Sequence, residues 1–178
     1  MKRFLLAGVI GVLFIGSSCF AQDLPSKDEI NELAAKANEK VVLFERALEA
    51  ARGFVGGEEA FKKYTKAAST AHALIRAVQN NGPSAYGLVG LVMTLDDLVF
   101  DAREIETNAL ITTVRFQSTG RNVPASIEQS TALASETLSA VNRLENAARG
   151  CLDISELIGH AALRLIAAEE DAIHQIAK

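Results

Sequence analysis

The sequence predicts an all-α fold, an up-and-down antiparallel bundle of four to five helices behind an N-terminal signal peptide. Three observations carry this expectation. No stretch alternates apolar and polar residues for long enough to form a strand. Apolar residues instead recur three and four apart along most of the chain, the spacing of one helix face. The three prolines, Pro25, Pro83 and Pro124, all fall between these periodic segments, where helices start or stop.

The leader comes first. Lys2 and Arg3 supply a positive start, and Phe4 to Ile15 form an unbroken run of apolar residues and glycines, the length of a signal-peptide core. Cys19-Phe20-Ala21 then places small side chains at −3 and −1 of a cut after Ala21. Residues 1–21 read as a signal peptide and 22–178 as one α-helical domain. The apolar run is short for a membrane anchor, which needs about 20 residues. A second processing route is a lipobox, Gly16-Ser17-Ser18-Cys19, cut before Cys19 with lipid added to its thiol. Gly16 stands where a lipobox usually has Leu, which favours the cut after Ala21. Either route takes the chain out of the cytoplasm, to the periplasm or beyond.

Five helices are expected in the mature chain. The first opens on Ser26-Lys27-Asp28-Glu29, a capping box, and carries Ile30, Leu33, Ala37, Val41, Phe44, Leu48 and Ala51 on one stripe, with Gly53 as its left-handed cap. The second begins near Glu58, after Gly56-Gly57, with Phe61, Tyr64, Ala68, Ala71, Ile75 and Val78 inward. Asn80-Asn81-Gly82-Pro83 stops it and turns the chain into an antiparallel hairpin. The third, about residues 85–116, repeats Leu88, Leu91, Leu95, Leu98, Ala102, Ile105 and Ala109 in the three-four spacing of a coiled-coil seam. The fourth, about residues 125–149, has Ile127, Thr131, Ala134, Leu138, Val141 and Ala148 inward and Gly150 as cap. The fifth starts at the capping box Asp153-Ile154-Ser155-Glu156 and turns Ile154, Leu157, Ile158, Ala161, Leu165, Ala168, Ala172 and Ile176 inward. Short connections between such helices predict a bundle.

Composition narrows the function classes. The chain has 18 Lys and Arg against 22 Asp and Glu, and the leader holds Lys2 and Arg3, so the mature net charge is −6. An acidic chain of this kind argues against nucleic acid and anionic membrane surfaces as partners. The absence of tryptophan argues against a carbohydrate platform. After cleavage at Ala21 a single cysteine remains, Cys151, which reads as a small buried hydrophobe at a helix start.

Residues that carry chemistry are sparse. The sequence has no G-x-S-x-G, P-loop, H-E-x-x-H or glycine-rich dinucleotide turn. Asp97, Asp101 and Glu104 lie opposite Leu88 and Leu95 on the helical wheel and read as a solvated face. His160 and His174 fall away from the apolar stripe, and Asp171-Ala-Ile-His174 alone has the spacing of a di-iron motif. Glu106 reads as a flank carboxylate paired with Arg103. His72 falls at the edge of the core of the second helix, level with Met93 across the hairpin. Such a pair resembles the axial ligands of a b-type haem, which makes a cofactor-binding bundle the alternative reading.

The expectation is an exported, non-catalytic bundle that binds another protein or builds a scaffold, with no cofactor. Self-association is the other form of partnership. The far end of the third helix outruns the second and carries Leu110, Ile111, Val114 and Phe116, which need either a helix of the same chain or a partner to cover them. The alternative makes His72 and Met93 ligands to haem or metal.

Overall fold

The computed structural model describes residues 24–82, 84–119 and 126–176. The expected leader, residues 1–21, and the lipobox at Cys19 lie outside the described residues. The described residues form four α-helices: α1, Lys27–Ala50; α2, Glu58–Asn81; α3, Ala85–Thr119; and α4, Ser126–Ile176. A single 3-10 turn, Arg52–Phe54, joins α1 to α2. Among the described residues there is no strand.

The four helices pack in a ring, α1 on α2, α2 on α3, α3 on α4 and α4 back on α1. Side-chain partners show that neighbours run in opposite directions. From α2 to α3, Lys63 reaches Asp101 and Glu104, whereas Val78 lies beside Gly87 near the start of α3. From α1 to α4, Glu29 meets Arg164, whereas Lys40, farther along α1, lies against Gly150. From α3 to α4, Val92 lies beside Gly159, and Arg103 shares a groove with Glu145.

Local chemistry sets the helix starts. The Ser26 hydroxyl accepts a hydrogen bond from the Glu29 backbone N–H at 3.0 Å, the first half of the expected capping box. The second half is not made, because the Glu29 carboxylate accepts instead from Arg164 of α4. Ser84 caps α3 in the same way, accepting from the Gly87 N–H at 3.1 Å. The first helix does not end on a left-handed Gly53. Ala51 ends it at φ −90° and ψ 0°, and the positive φ angles fall at Gly56, Gly57 and Gly82.

The α3 seam is buried as the spacing predicts, from Leu88 through Leu91, Leu95, Leu98, Ala102 and Ile105 to Ala109. It packs with Phe44 and Leu48 of α1, Tyr64 and Ile75 of α2, and Leu144, Cys151 and Ile158 of α4. Burying a side chain of this size contributes about 1.5–3 kcal/mol.

The expected fourth and fifth helices are one. α4 runs unbroken through 51 residues, and Gly150 sits inside it without a positive φ. Its lack of a side chain serves close approach, since a Cβ there would stand 3.1 Å from Lys40 Cδ. The expected second capping box is not a cap either. The Ser155 hydroxyl donates to Asp96 Oδ1 across the α3–α4 interface at 2.7 Å, and Ser155 is buried. The inner face of α4 accordingly differs from expectation. Thr137, Val141, Leu144, Ala148, Cys151, Ser155, Ile158 and Ala162 are buried, whereas Leu138 and Leu157 are 56% and 51% exposed. Ala172 and Ile176 are also exposed, because α4 outlasts its neighbours. The side chains of Ile127, Thr131 and Ala134 lie outside the described ones.

The helices differ in length, which decides what each end can cover. α2 has 24 residues and α3 has 35. A Cβ on Gly56, in the α1–α2 connection, would stand 3.9 Å from the Asn108 side chain, so α3 runs on past that connection to Thr119. At the opposite end α4 passes Arg164, its contact with the start of α1, and continues to Ile176. No helix among the described residues is long and apolar enough to cross a membrane.

Candidate functional site

The acidic row on α3 divides once the helix is packed. Asp97 and Glu104 are exposed, as expected, but Asp101 is only 6% exposed. The expectation of a fully solvated row fails at Asp101 because this residue turns toward α2 rather than straight outward. Lys63 reaches over from α2, 3.4 Å from Asp101 Oδ1 and 2.9 Å from Glu104 Oε2. Burial pushes the Asp101 carboxyl above its ordinary range, and Lys63 pulls it only part of the way back. The hydrogen bond to Glu104 in turn raises the Lys63 ammonium. These residues line a shallow groove of about 720 Å³ between α2 and α3, with Phe100, Asp97, Arg103 and Thr107 on its wall.

His72 sits at the core edge, between α2 and α1. Nδ1 lies 2.8 Å from Asn38 Oδ1 and Nε2 lies 3.2 Å from Glu45 Oε2, so both ring nitrogens have α1 partners. Met93 is 52% exposed on α3. Sequence reasoning did not foresee the α1 partners of His72, since they lie 34 and 27 residues away in the chain.

Glu106 is half-buried in a small groove between α3 and α4, lined also by Arg103, Glu145, Arg149 and Leu152. Arg149 is held by Glu145 at 2.5 Å. His160 and His174 are both exposed on α4. Among the described residues no group of three or more His, Cys, Asp and Glu stands close enough to hold a metal ion. Cys151 is fully buried in mid-helix rather than at a helix start, and burial pushes its thiol up to about 12.

One feature escaped the sequence reading. Tyr86, Val89, Met93 and Phe100 are all exposed along the outward side of α3, with Tyr86 at 92% and Phe100 at 62%. Their spacing of three, four and seven puts them in one row of about 21 Å. Ile111, one of the four residues expected at the far end, continues this row at 46% exposure. The side chains of Leu110, Val114 and Phe116 lie outside the described ones. The signal for the row was present as a second heptad, 86-93-100, offset from the buried one.

No family model, no curated protein and no solved structure matches this chain. Apolar rows of this length on an exposed helix face, rimmed by charge, are the usual mark of an interaction surface.

Proposed function

We propose that this chain is an exported, non-catalytic helical-bundle protein whose role is to bind another protein, with the outward side of α3 as the contact. The observation that carries this reading is the uncovered row Tyr86, Val89, Met93 and Phe100, four exposed apolar side chains aligned on one side of α3. An exposed aromatic at each end of such a row is the composition of interface anchors, which draw on Tyr and Met as well as Trp and Arg. Two heptads of apolar side chains left in water cost the free protein solubility, and a partner offsets that cost by covering them. Export is supported by the basic start, apolar core and small-residue exit of residues 1–21.

Two measurements test this. N-terminal sequencing of the mature protein should give Gln22 and fractionation should place it outside the cytoplasm; a chain retaining Met1 sinks the export half. A photo-crosslinking residue placed at Met93 or Phe100 in the native cell should give a discrete protein adduct on illumination. The same residue at exposed Glu170 should not. If Met93 and Phe100 give no adduct beyond that background, the α3 face is not a contact.

A further inference from the structure

We infer that the occupant of the α3 face is an amphipathic helix carrying lysine or arginine beside its apolar stripe. This rests on the docking reading above and adds the chemistry of the partner. The evidence is the charge pattern around the row. From Ala85 to Ala109, α3 carries five acids, Asp96, Asp97, Asp101, Glu104 and Glu106, and one base, Arg103. Asp97 lies four residues after Met93 and Glu104 four after Phe100, so each acid stands beside an apolar member of the row on the same face. Asp96 is turned to one flank, where Ser155 holds it, and Asp101 to the other, where Lys63 stands between it and Glu104; that side therefore sets three carboxylates, Asp97, Asp101 and Glu104, against one ammonium.

The face is thus apolar along its crest and acidic along one side. A helix laid on it meets Tyr86, Val89, Met93 and Phe100 with residues at every third and fourth position, and needs about four turns to do so. Its flank on the Asp97 side is basic, because an acidic flank is repelled and a neutral one leaves the excess negative charge without a counter-charge. Gly90 lies in this stretch with nothing within 4 Å of where a Cβ would be, so the helix backbone can approach closely there. A second copy of this chain fits less well. A two-fold pair sets the same patch against itself, which brings acids to acids with Arg103 and the already engaged Lys63 to offset them.

The test uses two labelled peptides of about 18 residues, long enough for the four turns. One has leucine on a heptad stripe with lysine elsewhere, and the other has glutamate in place of every lysine. Binding to the whole chain is read by fluorescence anisotropy at about 0.15 M salt, where long-range attraction is screened. The lysine peptide should bind at least about tenfold more tightly than the glutamate peptide. Met93→Lys/Phe100→Lys should weaken it by about tenfold or more with the far-UV circular dichroism unchanged, since both sites are exposed. Glu169→Lys/Glu170→Lys, on an acidic part of α4 away from the row, should leave it within about twofold, which separates docking from general attraction to an acidic protein. Equal binding of both peptides, binding of neither, or undiminished binding to Met93→Lys/Phe100→Lys overturns the inference. So does a dimer in sedimentation that Met93→Lys/Phe100→Lys dissolves, since the face then belongs to a second copy. Crosslinked adducts at Phe100 together with inert peptides would keep the docking reading and discard only the basic helix.

Discussion

Gly150→Ala decides whether α4 is one helix or two. In a helix interior, alanine is favoured over glycine by about 0.5–1 kcal/mol, because glycine gives up more backbone freedom on folding. The new Cβ would stand 3.1 Å from Lys40 Cδ, and 3.7 and 3.8 Å from Cε and Cγ. Comfortable carbon contacts begin at about 3.5 Å, so the lysine stem must give way by a few tenths of an ångström. Lys40 is half-buried and flexible, and its ammonium can stay in water while the stem shifts. The expected result is a gain of about 0.5–1 kcal/mol, or a rise of about 1–4 °C in Tm for a chain of this size. Urea unfolding followed by circular dichroism measures it. Gly57→Ala is the contrast, since Gly57 holds φ 109° and ψ 175° and an alanine there should cost about 1–3 kcal/mol. Adding Gly150→Ala to a Lys40→Ala background removes the one close contact and should show the gain in full. A loss of about 1 kcal/mol in both backgrounds would mean that Gly150 has the left-handed backbone of a cap, and the continuous helix would be refuted.

Three further outcomes are expected. Leu95→Ala or Leu98→Ala, both fully buried, should each cost about 2–5 kcal/mol, whereas exposed Asp97→Ala should stay within about 0.5 kcal/mol, read from urea midpoints. Asp101 has a raised folded-state pKa, so the folded chain holds that proton more tightly than the unfolded one. Its ionised form weakens the fold as pH rises out of the carboxylate range, and Asp101→Asn should match or exceed the wild type at pH 7, an advantage that shrinks as the pH falls toward about 4. The Cys151 thiol, fully buried and raised to about 12, should resist a thiol reagent at neutral pH until denaturant exposes it, and rapid labelling of the folded chain would show that α4 opens there.

The helices that follow one clean rule were legible in the sequence. The α3 seam is built from leucine, isoleucine and alanine alone, so apolar spacing and burial coincide. Proline and glycine punctuation located the ends of α2 and the start of α3. α4 was misread because its seam is mixed. Thr137, Cys151 and Ser155 point inward while Leu138 and Leu157 point out, so choosing the most apolar residue at each turn shifts the face and appears to break it at Gly150. With Thr137 and Ser155 counted as inward, the three-four spacing runs without a gap from 137 to 165. The candidate site divides in the same way. A wheel centred on the seam places Asp97 and Glu104 correctly, but the burial of Asp101 depends on where α2 lies, which no single helix records. The partners of His72 are likewise set by the α1–α2 register.

The continuity of α4 also shapes how the fold opens to solvent. A helix with no internal stop has no hinge, so its amide hydrogens should exchange along a slope and not in two steps. Residues 171–176 are exposed and lose their hydrogen bonds first. Opening can then travel inward turn by turn without disturbing another helix. It meets resistance at Arg164, where the next turn cannot unwind without releasing Glu29 in the first turn of α1. Protection at the start of α1 and protection near Arg164 should therefore rise and fall together, although the two stretches are 135 residues apart in the chain.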